Sequence, residues 1–117
     1  MRNPIDGFTI DRREVGYVGR DLQRPECILA ERDGTLWSAD ARGGVVRIDA
    51  DGGQTIVSQT EAAQFSGAAT DAERFVAGTL PNGLAFAANG DLLIANFGTD
   101  RLEVMTRDGA SRVLHDT

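Results

Sequence analysis

The chain carries nearly the same pattern twice, 56 positions apart: residues 25–40 align with residues 81–96. Both copies open on proline (Pro25, Pro81) and share an X-Gly turn (Asp33-Gly34, Asn89-Gly90) followed by a short apolar run. Read without a gap, the register continues, with Val46-Arg47-Ile48 on Leu102-Glu103-Val104, Gly53 on Gly109 and Val57 on Val113. Self-similarity of this period means one supersecondary unit per copy, each needing its neighbour to bury an apolar face.

Within each copy, short apolar runs alternate with Gly-containing turn signals, the pattern of antiparallel hairpins. In the first copy residues 26–31, 36–39, 45–48 and 55–57 read as strands, with turns at Asp33-Gly34, Arg42-Gly43-Gly44 and Asp51-Gly52-Gly53. In the second copy the strands are 84–86, 92–95, 102–105 and 111–114, with turns at Asn89-Gly90, Gly98-Thr99-Asp100 and Asp108-Gly109. The expected fold is all-β and propeller-like, two four-stranded antiparallel units side by side. Its parts are a lead-in over 1–23, repeat one over 24–59, a connection over 60–80 and repeat two over 81–117. The connection is rich in Ala, Gly, Ser and Thr and is read with a short helical turn around 71–75. In the lead-in, residues 5–10 and 15–18 read either as short strands or as irregular chain; in a closed ring such a segment could add an outer strand to the last unit.

A length of 117 residues corresponds to one domain. The net charge of −6 argues against a nucleic-acid partner, whose phosphates it would repel. No apolar run is long enough to span a bilayer, and no charged-then-apolar signal segment opens the chain. A single cysteine, Cys27, has no internal disulfide partner, which points to a reducing, cytoplasmic setting. All 12 basic residues are arginine, a bias of composition rather than a mechanism.

Pro25-Glu26, Asp33-Gly34-Thr35-Leu36-Trp37, Gly44-Val45-Val46-Arg47-Ile48 and Pro81-Asn82-Gly83-Leu84-Ala85-Phe86 together resemble the opening of the SMP-30/gluconolactonase/LRE-like (regucalcin-like) family, over about residues 20–117. The resemblance implies two blades of a six-bladed β-propeller with a divalent metal (Ca, Zn, Mg or Mn) in its tunnel, and hydrolysis of small-molecule lactones such as sugar lactones. It places Glu26 on the family's blade-one metal glutamate and Asn82 at the equivalent rim position one blade later, where it would contact substrate. The family's later metal Asn and its metal or catalytic Asp have no counterpart in these residues, so no catalytic residue is assigned.

The residues themselves keep a plainer reading open. Glu26 is also an exposed acid at a strand start, and Asn82 before Gly83 is also a turn residue. Asp40 and Asn96 share a repeat position and are expected to hydrogen-bond turn backbone. Cys27 should point away from Glu26, into the contact between units. Trp37, Leu36, Phe86, Leu92 and Ile94 read as core. The single histidine, His115, reads as an exposed terminal residue. The turn acids lack the spacing of an EF-hand.

Two units are too few to close a propeller, which takes about four to eight. Three outcomes follow: a piece of a longer lactone hydrolase, a homo-oligomer that completes a ring with Glu26 and Asn82 facing one tunnel, or a small twisted sheet on its own. The two function classes are a metal-dependent lactonase, incomplete in a lone chain, and a non-catalytic propeller piece acting as a binding or assembly module.

Overall fold

The computed structural model of the chain describes residues 2–59, 70, 72–73 and 80–116. Of the connection expected over 60–80, all but residues 70, 72–73 and 80 lies outside these residues; within the helical turn expected around 71–75, residues 72–73 are helical. The described chain is all-β: β1 (Ile28–Ala30), β2 (Leu36–Asp40), β3 (Gly44–Ile48), β4 (Gln54–Ser58), β5 (Pro81–Phe86), β6 (Leu92–Asn96), β7 (Arg101–Met105) and β8 (Ser111–Asp116). They form two four-stranded antiparallel meanders, β1-β2-β3-β4 and β5-β6-β7-β8. All eight expected strands form, with ends moved by at most three residues. Among the described residues the lead-in contains no strand and one regular element, a 3-10 turn at Arg12–Glu14, where Asp11 accepts the Arg13 N–H at 2.9 Å.

The turn chemistry explains the hairpins. Asp33 accepts the Thr35 N–H at 2.9 Å while Gly34, at φ 92°, donates to Glu31 O at 3.1 Å. Asn89 accepts the Asp91 N–H at 3.1 Å and Gly90 donates to Ala87 O at 2.9 Å, so the second copy builds the same loop. Each is a three-residue loop closed by glycine in the left-handed region, where a Cβ would be strained.

The gapless alignment needs one correction. Ser38 pairs with Val46, but its counterpart Ile94 pairs with Glu103, so from β7 as far as Val113 the offset is 57 rather than 56. Past the register shift in the β7–β8 pair it is 58, and Val57 corresponds to His115, not Val113. Three residues join β2 to β3 and four join β6 to β7. Gly109 therefore corresponds to Gly52, not Gly53, and both have positive φ (105° and 89°). A surface turn absorbs the extra residue, because a slip inside the strand would send every side chain to the wrong face.

The two sheets stack face on face. Trp37, Ala39 and Val45 of the first sheet share one buried cluster with Leu84, Leu92, Ile94 and Met105 of the second, with Cys27, Leu29, Val57 and Phe86 at its margin. Period-2 alternation puts Leu36, Ser38, Asp40, Val46 and Ile48 on the first sheet's other face. There the end of the lead-in covers them: Arg20 exchanges two hydrogen bonds with Gln54 (2.9 and 2.6 Å), and the Gln23 N–H donates to Asp40 at 3.0 Å. Of the expected core, Trp37, Leu92 and Ile94 are buried; Leu36 and Phe86 are half-buried.

An ionic clamp ties the sheets together at a distance of 76 residues in sequence. Arg107 meets Glu31 through two hydrogen bonds, at 2.6 and 2.9 Å, and also donates to Gly90 O at 3.1 Å. Its guanidinium lies 5.4 Å from the Trp37 ring centroid and 5.7 Å from that of Phe86. Trp37 Nε1–H donates to the same Glu31 at 2.7 Å. Arg107 first, and the Trp37 N–H next, hold the Glu31 carboxyl below its ordinary range, while Glu31 raises Arg107.

Candidate functional site

Glu26 lies two residues ahead of β1 rather than within it. Arg24, at φ 52°, accepts the Glu26 N–H at 2.8 Å, and this tight turn takes Glu26 out of sheet pairing. Pairing still reaches Cys27, whose carbonyl accepts the Ala39 N–H at 3.0 Å. The Glu26 carboxylate is exposed and paired with Arg24 at 3.1 Å. As alternation requires, Cys27 turns the other way: it is half-buried against the inter-sheet cluster, its thiol 3.7 Å from Leu84 O. Asn82 is half-buried in β5, at the irregularity between Pro81 and Gly83.

Fifty-six positions apart in sequence, Glu26 and Asn82 line one crevice where the sheets meet, together with Arg24, Ala41, Leu80, Pro81 and Phe97. Its volume is about 10 Å³, room for about one water and no lactone. Asn82 also borders an open groove of about 590 Å³ on the second sheet's outward face, with Gly83, Ala95, Asn96, Phe97, Asp100, Arg101 and Leu102.

The donor set does not fit a complete metal site. A hard cation takes about six or more oxygen ligands, some of them water. The crevice offers one carboxylate, already neutralised by a guanidinium, and one amide. Among the described residues no three His, Cys, Asp or Glu side chains gather where they could hold a metal.

Asp40 and Asn96 do what turn chemistry predicts. Asp40, fully buried, accepts the Gln23 and Arg42 N–H groups at 3.0 and 2.9 Å. Asn96 accepts the Leu80 and Gly98 N–H groups at 3.1 and 3.2 Å. Gln23 O and Leu80 O in turn accept from Ala41 and Phe97, at 2.8 and 3.0 Å. Each side chain thus pins the entering chain to the second turn of its sheet. The negative charge on Asp40 is balanced by Arg42, whose Nε lies at 2.7 Å and whose own affinity for a proton rises as a result.

Two polar clusters escaped sequence reading. Glu103 is 2% exposed, and its Oε2 accepts from Gln59 at 2.6 Å and from Asn96 at 3.2 Å. The signal was parity: Glu103 shares a β7 face with Met105, so it had to point at the first sheet. The Glu31–Arg107 clamp left no such trace, since only stacking brings those residues together. His115 is exposed, as expected of a terminal residue. Among the described residues no helix is long and apolar enough to cross a membrane.

Compared with known proteins, the chain matches no family model, no curated protein and no solved structure.

Proposed function

We propose that the chain supplies two blades, and with them part of the pocket, of a propeller lactone hydrolase resembling the SMP-30/gluconolactonase group. The observation that carries this reading is the convergence of Glu26 and Asn82 on one crevice between neighbouring sheets. In this reading the Asn82 amide donates to an oxygen of a sugar lactone, and Glu26 presents a carboxylate to the same mouth. The remaining ligands come from sheets stacked beyond these two, because one carboxylate and one amide complete neither a cation site nor a catalytic set. The resemblance would bring a divalent cation to such a mouth as a Lewis acid.

Backbone amide NMR of the full chain tests the reading. Because the crevice is only part of a pocket, titration with calcium, and separately with a gluconolactone, to millimolar concentration is expected to give small, unsaturated shifts centred on Glu26 and Asn82 and their neighbours. Glu26→Gln should remove the calcium response, and in any preparation with metal-dependent lactonase activity it should abolish turnover. Shifts scattered over surface acids, with none at Glu26 or Asn82, would overturn the assignment.

A second reading, a non-catalytic assembly module, is favoured by the uncovered apolar face of the second sheet, where Leu102 is 41% exposed and Ala85 and Ala95 are exposed.

A further inference from the structure

The contact between the two sheets is not self-complementary. The first sheet contributes Trp37, Ala39 and Val45; the second contributes Leu84, Leu92, Ile94 and Met105. Strand pairing makes Leu93, Ala95 and Leu102 the second sheet's equivalents of Trp37, Ala39 and Val45. Those equivalents lie on the face turned away from the first sheet. The first sheet's equivalent of Leu84 is Ile28, on the face turned away from the second. The stacking is therefore head to tail, and each end of the molecule presents one half of the interface that its middle has already made.

The exposures agree at the second sheet and at Ile28, whereas Leu36, Ser38 and Ile48, the first sheet's equivalents of Leu92, Ile94 and Met105, are half-buried or buried on the face where the lead-in lies. Ala39 and Val45 are both 0% exposed, whereas Ala95 is exposed and Leu102 is 41% exposed. Leu84 is 9% exposed, whereas Ile28 is 55% exposed. Ile56, on the same face as Ile28, is 45% exposed.

We infer that a second copy of this chain docks head to tail, the outward face of its first sheet (Ile28, Ala30, Ile56) covering Ala85, Ala95 and Leu102 of the first copy. The inference stands on sheet stacking alone and is independent of whether the crevice binds a lactone. A contact that repeats head to tail must close or run on indefinitely. With two sheets per copy, closure at about four to eight sheets means two to four copies.

The lead-in regulates this contact. In the single chain, Gly19 lies close against the side chains of Ile48 and Leu22, and Arg20 is held by the two hydrogen bonds to Gln54. Leu80, the counterpart of Gln23, stays in place under a stacked sheet and is 3% exposed, so residue 23 need not move. The stretch before it must lift. It is lightly seated, with Tyr17 95% and Val18 65% exposed.

Sedimentation velocity on the full chain across a wide concentration range tests the proposal. Wild type is expected to associate into a closed species of two to four copies. Leu102→Asp and Ile28→Asp should each reduce association at least tenfold, and an equimolar mixture of the two variants should form a heterodimer and nothing larger. Gln54→Ala, which releases the lead-in, should tighten association. Circular dichroism checks the fold; if either aspartate variant unfolds, Ala95→Arg and Ala30→Arg at exposed positions replace them. A wild type that stays monomeric throughout, association indifferent to both faces, or variants that fail to complement each other would each overturn the proposal.

Discussion

Removing the Arg107 clamp should cost less than removing its acidic partner, and the structure sets the order. Arg107 is 46% exposed and Glu31 22%, so their bidentate pair is screened and contributes on the order of 0.2–1 kcal/mol. The guanidinium over Trp37 and Phe86 adds about 0.5–1 kcal/mol. Arg107→Ala should therefore destabilise by about 1–2 kcal/mol, which for a domain of this size lowers Tm by roughly 5–10 °C. Glu31→Ala removes the same pair and also strands the Trp37 indole N–H, in a residue only 1% exposed. An unsatisfied buried donor costs about 1–3 kcal/mol more. Glu31→Gln keeps an acceptor for the indole, so it should resemble Arg107→Ala rather than Glu31→Ala. Urea unfolding at neutral pH, with the Arg107→Ala/Glu31→Ala double-mutant cycle, measures all of these. A Glu31→Gln as damaging as Glu31→Ala, or a cycle with zero coupling, would refute the clamp as described.

The clamp also sets a pH dependence: the folded Glu31 carboxyl lies below its ordinary value of 4.5, so its contribution is complete above that value and is lost as pH falls through the lower, folded one. The stability gap between wild type and Glu31→Gln should accordingly hold at neutral pH and close in acid. At Asp40, fully buried and bonded to Arg42, Asp40→Ala should cost about 3–5 kcal/mol because it leaves two backbone donors and a guanidinium without their acceptor. Asp40→Asn should cost clearly less in the same urea assay, since Asn96 performs the equivalent pinning with an amide. Gly44→Ala would place a methyl 2.2 Å from Val57 O and 2.9 Å from Ser58 Cα, forcing β3 and β4 apart; a loss of about 1–3 kcal/mol is expected, with faster amide exchange across that strand pair.

Much of the fold was legible because its signals are local. Asp33-Gly34 and Asn89-Gly90 announced their hairpins through one side chain and one missing Cβ, and alternation assigned Cys27 to the inter-sheet contact. The candidate site was legible only as positions. That Glu26 and Asn82 share a repeat register placed them at neighbouring rims, yet nothing local foretold the turn at Arg24 that pairs Glu26 with a guanidinium, or a crevice too small for a lactone. The gapless alignment failed for a similar reason: a turn tolerates an added residue without any change in the apolar pattern flanking it, and only strand pairing reveals it.

By itself the sequence determined the number of strands, their order, their turns and the repetition of one unit, since each depends on contacts between residues close along the chain. The tertiary structure decided what lies across the seam: Arg107 on Glu31 and Trp37, Glu103 buried against Gln59 and Asn96, and the head-to-tail sense of the stack that leaves Ile28 and Leu102 uncovered at opposite ends. Those outcomes depend on which faces meet, and a period-2 pattern says that a face is apolar without saying what covers it.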